Sequence, residues 1–148
     1  MLTMAREAAE IMRERFGRDA LVALATLGAG QPYVRYVDAY YEQGCFYIVT
    51  DARSRKMAQI RENPRVAVAG DWFTGHGYAE DLGAFGGKGN EDIANKLRQV
   101  FAAWLDNGHS DPAEEHTHIL RVTLTDGLLL SHGQRYALGT EETPLAQL

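Results

Sequence analysis

The 148-residue chain has one cysteine, Cys45, so it cannot close an intramolecular disulfide, and its cysteine usage gives no sign of an oxidising compartment. It has no basic excess either: 15 Lys and Arg stand against 20 Asp and Glu, a net charge of −5. Proteins that hold nucleic acid through its phosphates carry a domain-wide surplus of cations, because their affinity comes from displacing condensed counterions. General polyanion binding is therefore excluded. Long apolar runs are missing as well. The longest, residues 20–27, is far short of the ~20 residues of a membrane span, and residues 1–16 mix Arg and Glu into what would be the apolar core of a signal peptide. Internal repeats and linkers are absent. These gaps leave the expectation of one soluble, cytoplasmic domain over residues 1–148, large enough to bury a core without disulfide or metal.

What the sequence does have is short β-rich runs broken by turn signals. Residues 3–16 open the chain with apolar side chains at Ala5, Ala8, Ala9, Met12 and Phe16, a helical spacing stopped by Gly17. Strands are expected at 20–27, 33–41 and 45–50, separated by Gly28-Ala29-Gly30-Gln31-Pro32 and Glu42-Gln43-Gly44. Ser54 reads as the N-cap of a short helix through Met57 and Ile60 that stops at Asn63-Pro64. Further strands follow at 65–72 and 74–83. Gly86, Gly87 and Gly89 make a flexible loop before Asn90, which reads as the N-cap of a helix over 90–105. After an acidic loop, 116–125 and 127–132 complete the strands, and residues 139–148 read as a mobile tail. The sum is a mainly β fold with flanking helices, an α+β domain whose six or seven antiparallel strands suit a barrel or a sandwich.

The chemistry concentrates at Val49-Thr50-Asp51-Ala52-Arg53-Ser54-Arg55-Lys56. A strand there runs into a helix whose free N–H groups and dipole already favour an anion. Arg55 can grip a phosphate with two parallel hydrogen bonds, Lys56 adds a point charge, and Thr50 and Ser54 add hydroxyls. Five basic residues and one acid fall between Arg53 and Arg65, a net of +4, leaving −9 for the rest of the chain. An acidic protein with one basic junction suits a single small phosphate anion.

The run from Phe46 to Thr50, then Ser54-Arg55-Lys56, Ile60 and Asn63-Pro64-Arg65-Val66-Ala67-Val68, resembles the pyridoxamine 5′-phosphate oxidase-like family of FMN-binding split barrels. Gln31-Pro32-Tyr33-Val34-Arg35-Tyr36-Val37 is similar to that family's second strand, Gly77-Tyr78-Ala79-Glu80 to its fifth, and Arg121-Val122-Thr123-Leu124 to its penultimate one. The resemblance implies an antiparallel split β-barrel, a homodimer with FMN at its interface, and FMN-dependent oxidoreductase chemistry, with NADH or NADPH as donor and a small-molecule substrate. It implies that Arg35, Thr50, Ser54, Arg55 and Lys56 hold the phosphate. Backbone atoms of Arg35, Tyr36, Val37, Asp38 and Val49 would line the ring and ribityl chain, with Trp72 near the ring. Two departures count against oxidation of pyridoxamine phosphate itself. Tyr40 stands where the oxidases carry a Lys, and Leu130-Ser131-His132-Gly133-Gln134-Arg135-Tyr136 replaces their basic substrate motif, although His132 or Arg135 could reach a partner's flavin.

Other constellations carry less. His116-Thr117-His118 with nearby Asp111, Glu114, Glu115 and His109 matches no compact metal motif, so no metal is expected. Cys45 has no neighbouring His, and Gly86-Gly87-Lys88-Gly89 lacks the ending of a nucleotide loop. His76, between Gly75 and Gly77, suits either a ligand's close approach or a β-bulge. A non-catalytic flavin or haem module and a deazaflavin-dependent reductase remain as alternatives.

Overall fold

In the computed structural model, which describes residues 2–106 and 111–139, the apolar run after the first helix becomes β1 (Ala20–Gly28). Its side chains alternate, so Val22, Leu24 and Thr26 turn inward while Leu21 stays in solvent. Strand β2 (Gln31–Glu42) pairs with the whole of β1, and β3 (Cys45–Asp51) returns from its far end. Both connections are two-residue turns, Ala29-Gly30 and Gln43-Gly44, with positive φ at both positions. That mirror-image turn matches the twist of the strands it joins and needs glycine or an equally tolerant residue.

Helix α2 (Arg55–Glu62) carries the chain away from β3, so β4 (Arg65–Gly70) pairs with β1 instead. Strand β5 (Phe73–Ala84) pairs with β4, and β6 (Thr117–Ser131) pairs with β5 on one side and β3 on the other. This β3–β6 ladder closes a six-stranded antiparallel split barrel, and β7 (Gln134–Leu138) hangs on β6 as a seventh strand. Helix α1 (Arg6–Phe16) drives Ala8, Met12 and Phe16 into the barrel, where the Phe16 ring meets Phe46 and Phe73 at 5.6 and 5.8 Å. Each fully buried aromatic of this kind contributes ~2–3 kcal/mol of transfer free energy. Helix α3 (Glu91–Val100) covers a second cluster on the outside of β2, β3 and β6, in which Leu97 and Phe101 pack with Tyr40 and Ile119.

Several expectations need correcting. The first helix starts at Arg6, not residue 3, because Thr3 exchanges hydrogen bonds with Gly139. The expected helix over 90–105 stops at Val100. Turns carry Phe101 to Asp106, and Trp104 donates its indole N–H to Asp19 at 3.1 Å. The glycine loop before it is pinned: Asn90 stands at the N-cap position as expected, but its side chain makes no capping bond and its amide reaches back to the carbonyls of Leu82 and Ala84. The two strands expected at 116–125 and 127–132 are one strand, β6, interrupted only by a bulge at Thr125. Strand β7 was not anticipated, and Trp72 belongs to the β4–β5 turn, not to a strand. Of the expected mobile tail, Gly139 pairs with Thr3; residues 140–148 lie outside the described residues, as does His109.

Candidate functional site

The six-stranded barrel is split between β2 and β3. These strands share only the rows Tyr40–Tyr47, Tyr41–Phe46 and Glu42–Cys45. Beyond them, among the described residues, β2 pairs with β1 alone and β3 with β6 alone, so residues 31–39 and 48–51 form two open lips whose edge-facing backbone groups have no ladder partner there. Arg35, Tyr36, Val37 and Asp38 lie on one lip, and Val49 and Thr50 on the other. The second lip runs directly into Ser54, Arg55 and Lys56.

At that junction the backbone turns on Asp51, whose carboxylate accepts the Arg53 backbone N–H at 2.8 Å and its guanidinium at 2.9 and 3.1 Å. The Arg53 guanidinium and backbone N–H hold the Asp51 carboxyl well below the usual carboxylate range. Ser54 sits at the N-cap of α2 with its backbone extended, but its hydroxyl makes no capping bond. Ser54 Oγ is buried and has no hydrogen-bond partner among the described residues. Such an orphan costs ~1–3 kcal/mol. The first N–H groups of α2 have no i−4 acceptor within the helix, so the hydroxyl and the helix terminus offer donors together.

Three cations converge there. Burial first, and the nearby Arg55 second, push the Arg35 guanidinium below its ordinary pKa. Lys56 is lowered by burial and then by Arg35, against a smaller opposing pull from Asp51. Among the described residues, Arg35, Arg55 and Lys56 enter no ion pair. A like-charged, partly buried group of this kind stores repulsion that a bound anion relieves.

Arg35 is aimed by two residues that sequence reasoning missed. Its guanidinium donates to Thr26 Oγ1 at 2.7 Å, the Leu24 carbonyl at 3.3 Å and Gln59 Oε1 at 3.4 Å, and Thr26 in turn donates to Gln59. Gln59 fits because Gly28 leaves room: a Cβ there would lie 2.7 Å from Gln59 Nε2 and 3.1 Å from the Tyr33 ring. Tyr33 lies beneath Arg55, 5.9 Å from guanidinium to ring centre. The available signals were a lone polar residue facing inward from an apolar strand, and a Gln one turn after Arg55.

The remaining expected residues fall as follows. Tyr36 and Asp38 face outward, Val37 packs against the barrel core, and Val49 packs beneath α3. Trp72 does not join the cluster. It is 69% exposed in the β4–β5 turn, at the end of β4 away from α2, where its carbonyl accepts the Leu130 N–H. The two histidines of β6 and its approach diverge, His118 onto Asp81 at 2.8 Å and His116 onto Glu115 at 3.4 Å. Ligand atoms of Glu114, Glu115 and His116 lie within 4.8 Å of one another, but the carboxylates are exposed. Among the described residues no helix is long and apolar enough to cross a membrane.

Residues 8–130 match the family model of pyridoxamine 5′-phosphate oxidase. Among solved structures, an FMN-binding, pyridoxamine 5′-phosphate oxidase-related protein of Nostoc punctiforme is 18% identical, with a TM-score of 0.63 over 93% of this chain and 91% of that one. A FAD-binding protein of Mesorhizobium loti is 20% identical, with a TM-score of 0.60 over 95% and 99%. An F420 reductase is 21% identical, with a TM-score of 0.61 over 78% and 94%. At these identities the likeness establishes the split-barrel fold. No curated protein matches the chain in sequence.

Proposed function

This chain belongs to the pyridoxamine 5′-phosphate oxidase family, and from that premise we propose that it binds FMN along the split of its barrel and works in the cytoplasm as an FMN-dependent oxidoreductase. The observation that carries the reading is the set of mutually repelling cations, Arg35, Arg55 and Lys56, which enter no ion pair among the described residues and lie at a helix start whose Ser54 hydroxyl is buried without a partner. These residues fit a phosphate dianion: two forked donors, a compact ammonium, the Ser54 and Thr50 hydroxyls and the first N–H groups of α2. The open backbone edges at 35–38 and 49 supply donors and acceptors to a polar ring system and its chain.

A flavin held there would supply hydride chemistry between a reduced nicotinamide donor, NADH or NADPH, and a small molecule. The protein anchors the phosphate, orients the ring and keeps water from one ring face. Pyridoxamine phosphate is not the favoured substrate. Tyr40 occupies the position of the oxidases' lysine, buried beneath α3 with the Lys96 ammonium 5.8 Å from its ring. The end of the chain also departs, since β7 presents Arg135 to solvent and ties Tyr136 to Glu7 at 3.0 Å.

A homodimer completes the reading. Among the described residues no helix covers the outside of β2, β1, β4 and β5, and Leu21, Val34, Tyr36, Trp72 and Tyr78 are exposed, an apolar surface that a second copy would bury. The likeness to an F420 reductase favours a deazaflavin as the second choice of cofactor. A non-catalytic flavin or haem module keeps the same pocket without turnover. The purified protein is expected to quench FMN fluorescence saturably, and to elute as a dimer. A colourless protein without quenching overturns the cofactor reading, and tighter binding of F420 than of FMN replaces it with the deazaflavin one.

A further inference from the structure

The outer face that the homodimer would bury has a relief of its own. One row of the sheet runs Val34, Ala25, Ala67, His76 across β2, β1, β4 and β5, and the next runs Tyr36, Ala23, Ala69, Thr74. Four alanines therefore pave the middle of the sheet between taller side chains. Where the row of Ala25 and Ala67 dips, a trough of about 460 Å³ opens, with Leu27 and Pro32 on one side, His76 and Tyr78 on the other, and Arg65 among its walls.

The β4–β5 turn has the opposite shape. Trp72 holds φ at +51°, in the left-handed region where a bulky side chain is an outlier. Its ring is exposed, and among the described residues it meets no other aromatic ring and no cation. A strained backbone and a bare indole both cost the single chain, and no contact within it offsets them. Asp71, the residue before Trp72 in the turn, is exposed as well. Asp71 and Arg65 carry opposite charges, and among the described residues neither enters an ion pair.

We propose that the trough is a socket for the β4–β5 turn of a second copy of this chain: the partner's Trp72 fills it over Ala25 and Ala67, and the partner's Asp71 meets Arg65. The proposal rests on the homodimer of the preceding section and names the contact that holds it. From Ala67 to Trp72 is ~16 Å of extended backbone. A two-fold axis lying between the two faces and crossing β4 near Ala69 brings each copy's turn over the other's trough, so both contacts form twice. The alanines beside that axis are small enough for the two sheets to close around the indoles. A Trp seated in a desolvated pocket carries much of the affinity of an interface, and the acid–base pair beside it fixes the register.

Sedimentation of the full chain over a range of concentrations reads the dimer. Trp72→Gly removes the ring and releases the strained φ. It is expected to weaken the dimer at least a hundredfold, since symmetry empties both sockets at once, while the melting temperature of the monomer holds or rises. Ala67→Leu fills the floor without touching the turn and is expected to weaken the dimer to a similar degree. Asp71→Lys and Arg65→Glu, each alone, set like charges together and are expected to cost about tenfold. Mixed in equal amounts, these two variants are expected to pair as a heterodimer within about threefold of the wild-type dissociation constant, because each socket again holds one acid and one base. An unchanged dimer in Trp72→Gly or Ala67→Leu, or no recovery on mixing, overturns the socket and leaves the homodimer standing. A wild-type chain that stays monomeric overturns both. A dimer that loses affinity in Trp72→Gly yet binds no FMN upholds the socket and overturns the cofactor reading alone.

Discussion

Arg53 and Arg61 flank Arg55 and Lys56 within nine residues of sequence, yet the two pairs are used in opposite ways. Arg53 is taken up by Asp51, and Arg61 donates to the Ala52 carbonyl at 2.7 Å and faces Asp81 at 3.7 Å. These cations close the junction. Among the described residues Arg55 and Lys56 meet no carboxylate at ion-pair distance, and they share their space with Arg35, which repels them. A fold seeking only stability would not collect three cations without an ion-pair partner, because each adds desolvation and repulsion that hydrogen bonds to neutral groups offset only in part. The difference separates cations neutralised within the fold from cations left without a carboxylate partner among the described residues.

The sharpest way to break this comparison is to remove the second pair. Arg55→Ala with Lys56→Ala is expected to cost ~3 kcal/mol of FMN binding, about a hundredfold, for two lost charge-assisted contacts to phosphate. The melting temperature should hold or rise slightly, because repulsion with Arg35 is relieved. Fluorescence titration and thermal unfolding read the two effects, and a large loss of stability with unchanged affinity would reverse the assignment. Arg61→Ala is the mirror test. It is expected to lower stability by ~1 kcal/mol, a modest figure because the side chain is half exposed, and to shift FMN affinity less than threefold.

How much of this was legible in the sequence follows from the range of each interaction. The β3–α2 junction could be read because Thr50, Ser54, Arg55 and Lys56 are neighbours in the chain and act through one strand end and one helix start. The hairpins at Ala29-Gly30 and Gln43-Gly44 were legible because a two-residue turn states its own geometry. Thr26 and Gln59 were not, since they meet across 33 residues of separation and only the return of β4 to β1 brings α2 over that strand. Helix α3 defeats a periodicity argument for another reason. Phe101 and Leu105 remain buried after the helix has ended, so the apolar pattern outlasts the hydrogen bonding. The expected break in β6 at Asp126 is a bulge, not an end, and Gly127 sits in mid-strand opposite Gly75, beside the Phe73 ring. Strand β7, five residues with Arg and Gln among them, offers too little pattern to be seen without β6 beside it.

Ser54 gives the smallest effect and the finest discrimination, because the two roles of its hydroxyl predict opposite signs. A hydroxyl that caps α2 would lose ~1 kcal/mol of stability on replacement by alanine. Here the oxygen is buried and unpartnered, and alanine removes a polar atom that has given up water for nothing. Ser54→Ala is therefore expected to raise the stability of the flavin-free protein, by up to ~1 kcal/mol. The same change deletes one neutral donor to the phosphate and should weaken FMN binding by ~1 kcal/mol, about fivefold. The gain in the free protein and the loss in the complex share a single atom, so unfolding with and without FMN measures both in one sample. A fall in the stability of the free protein would mean that Ser54 caps the helix, and the phosphate would then rest on Arg35, Arg55 and Lys56 without it.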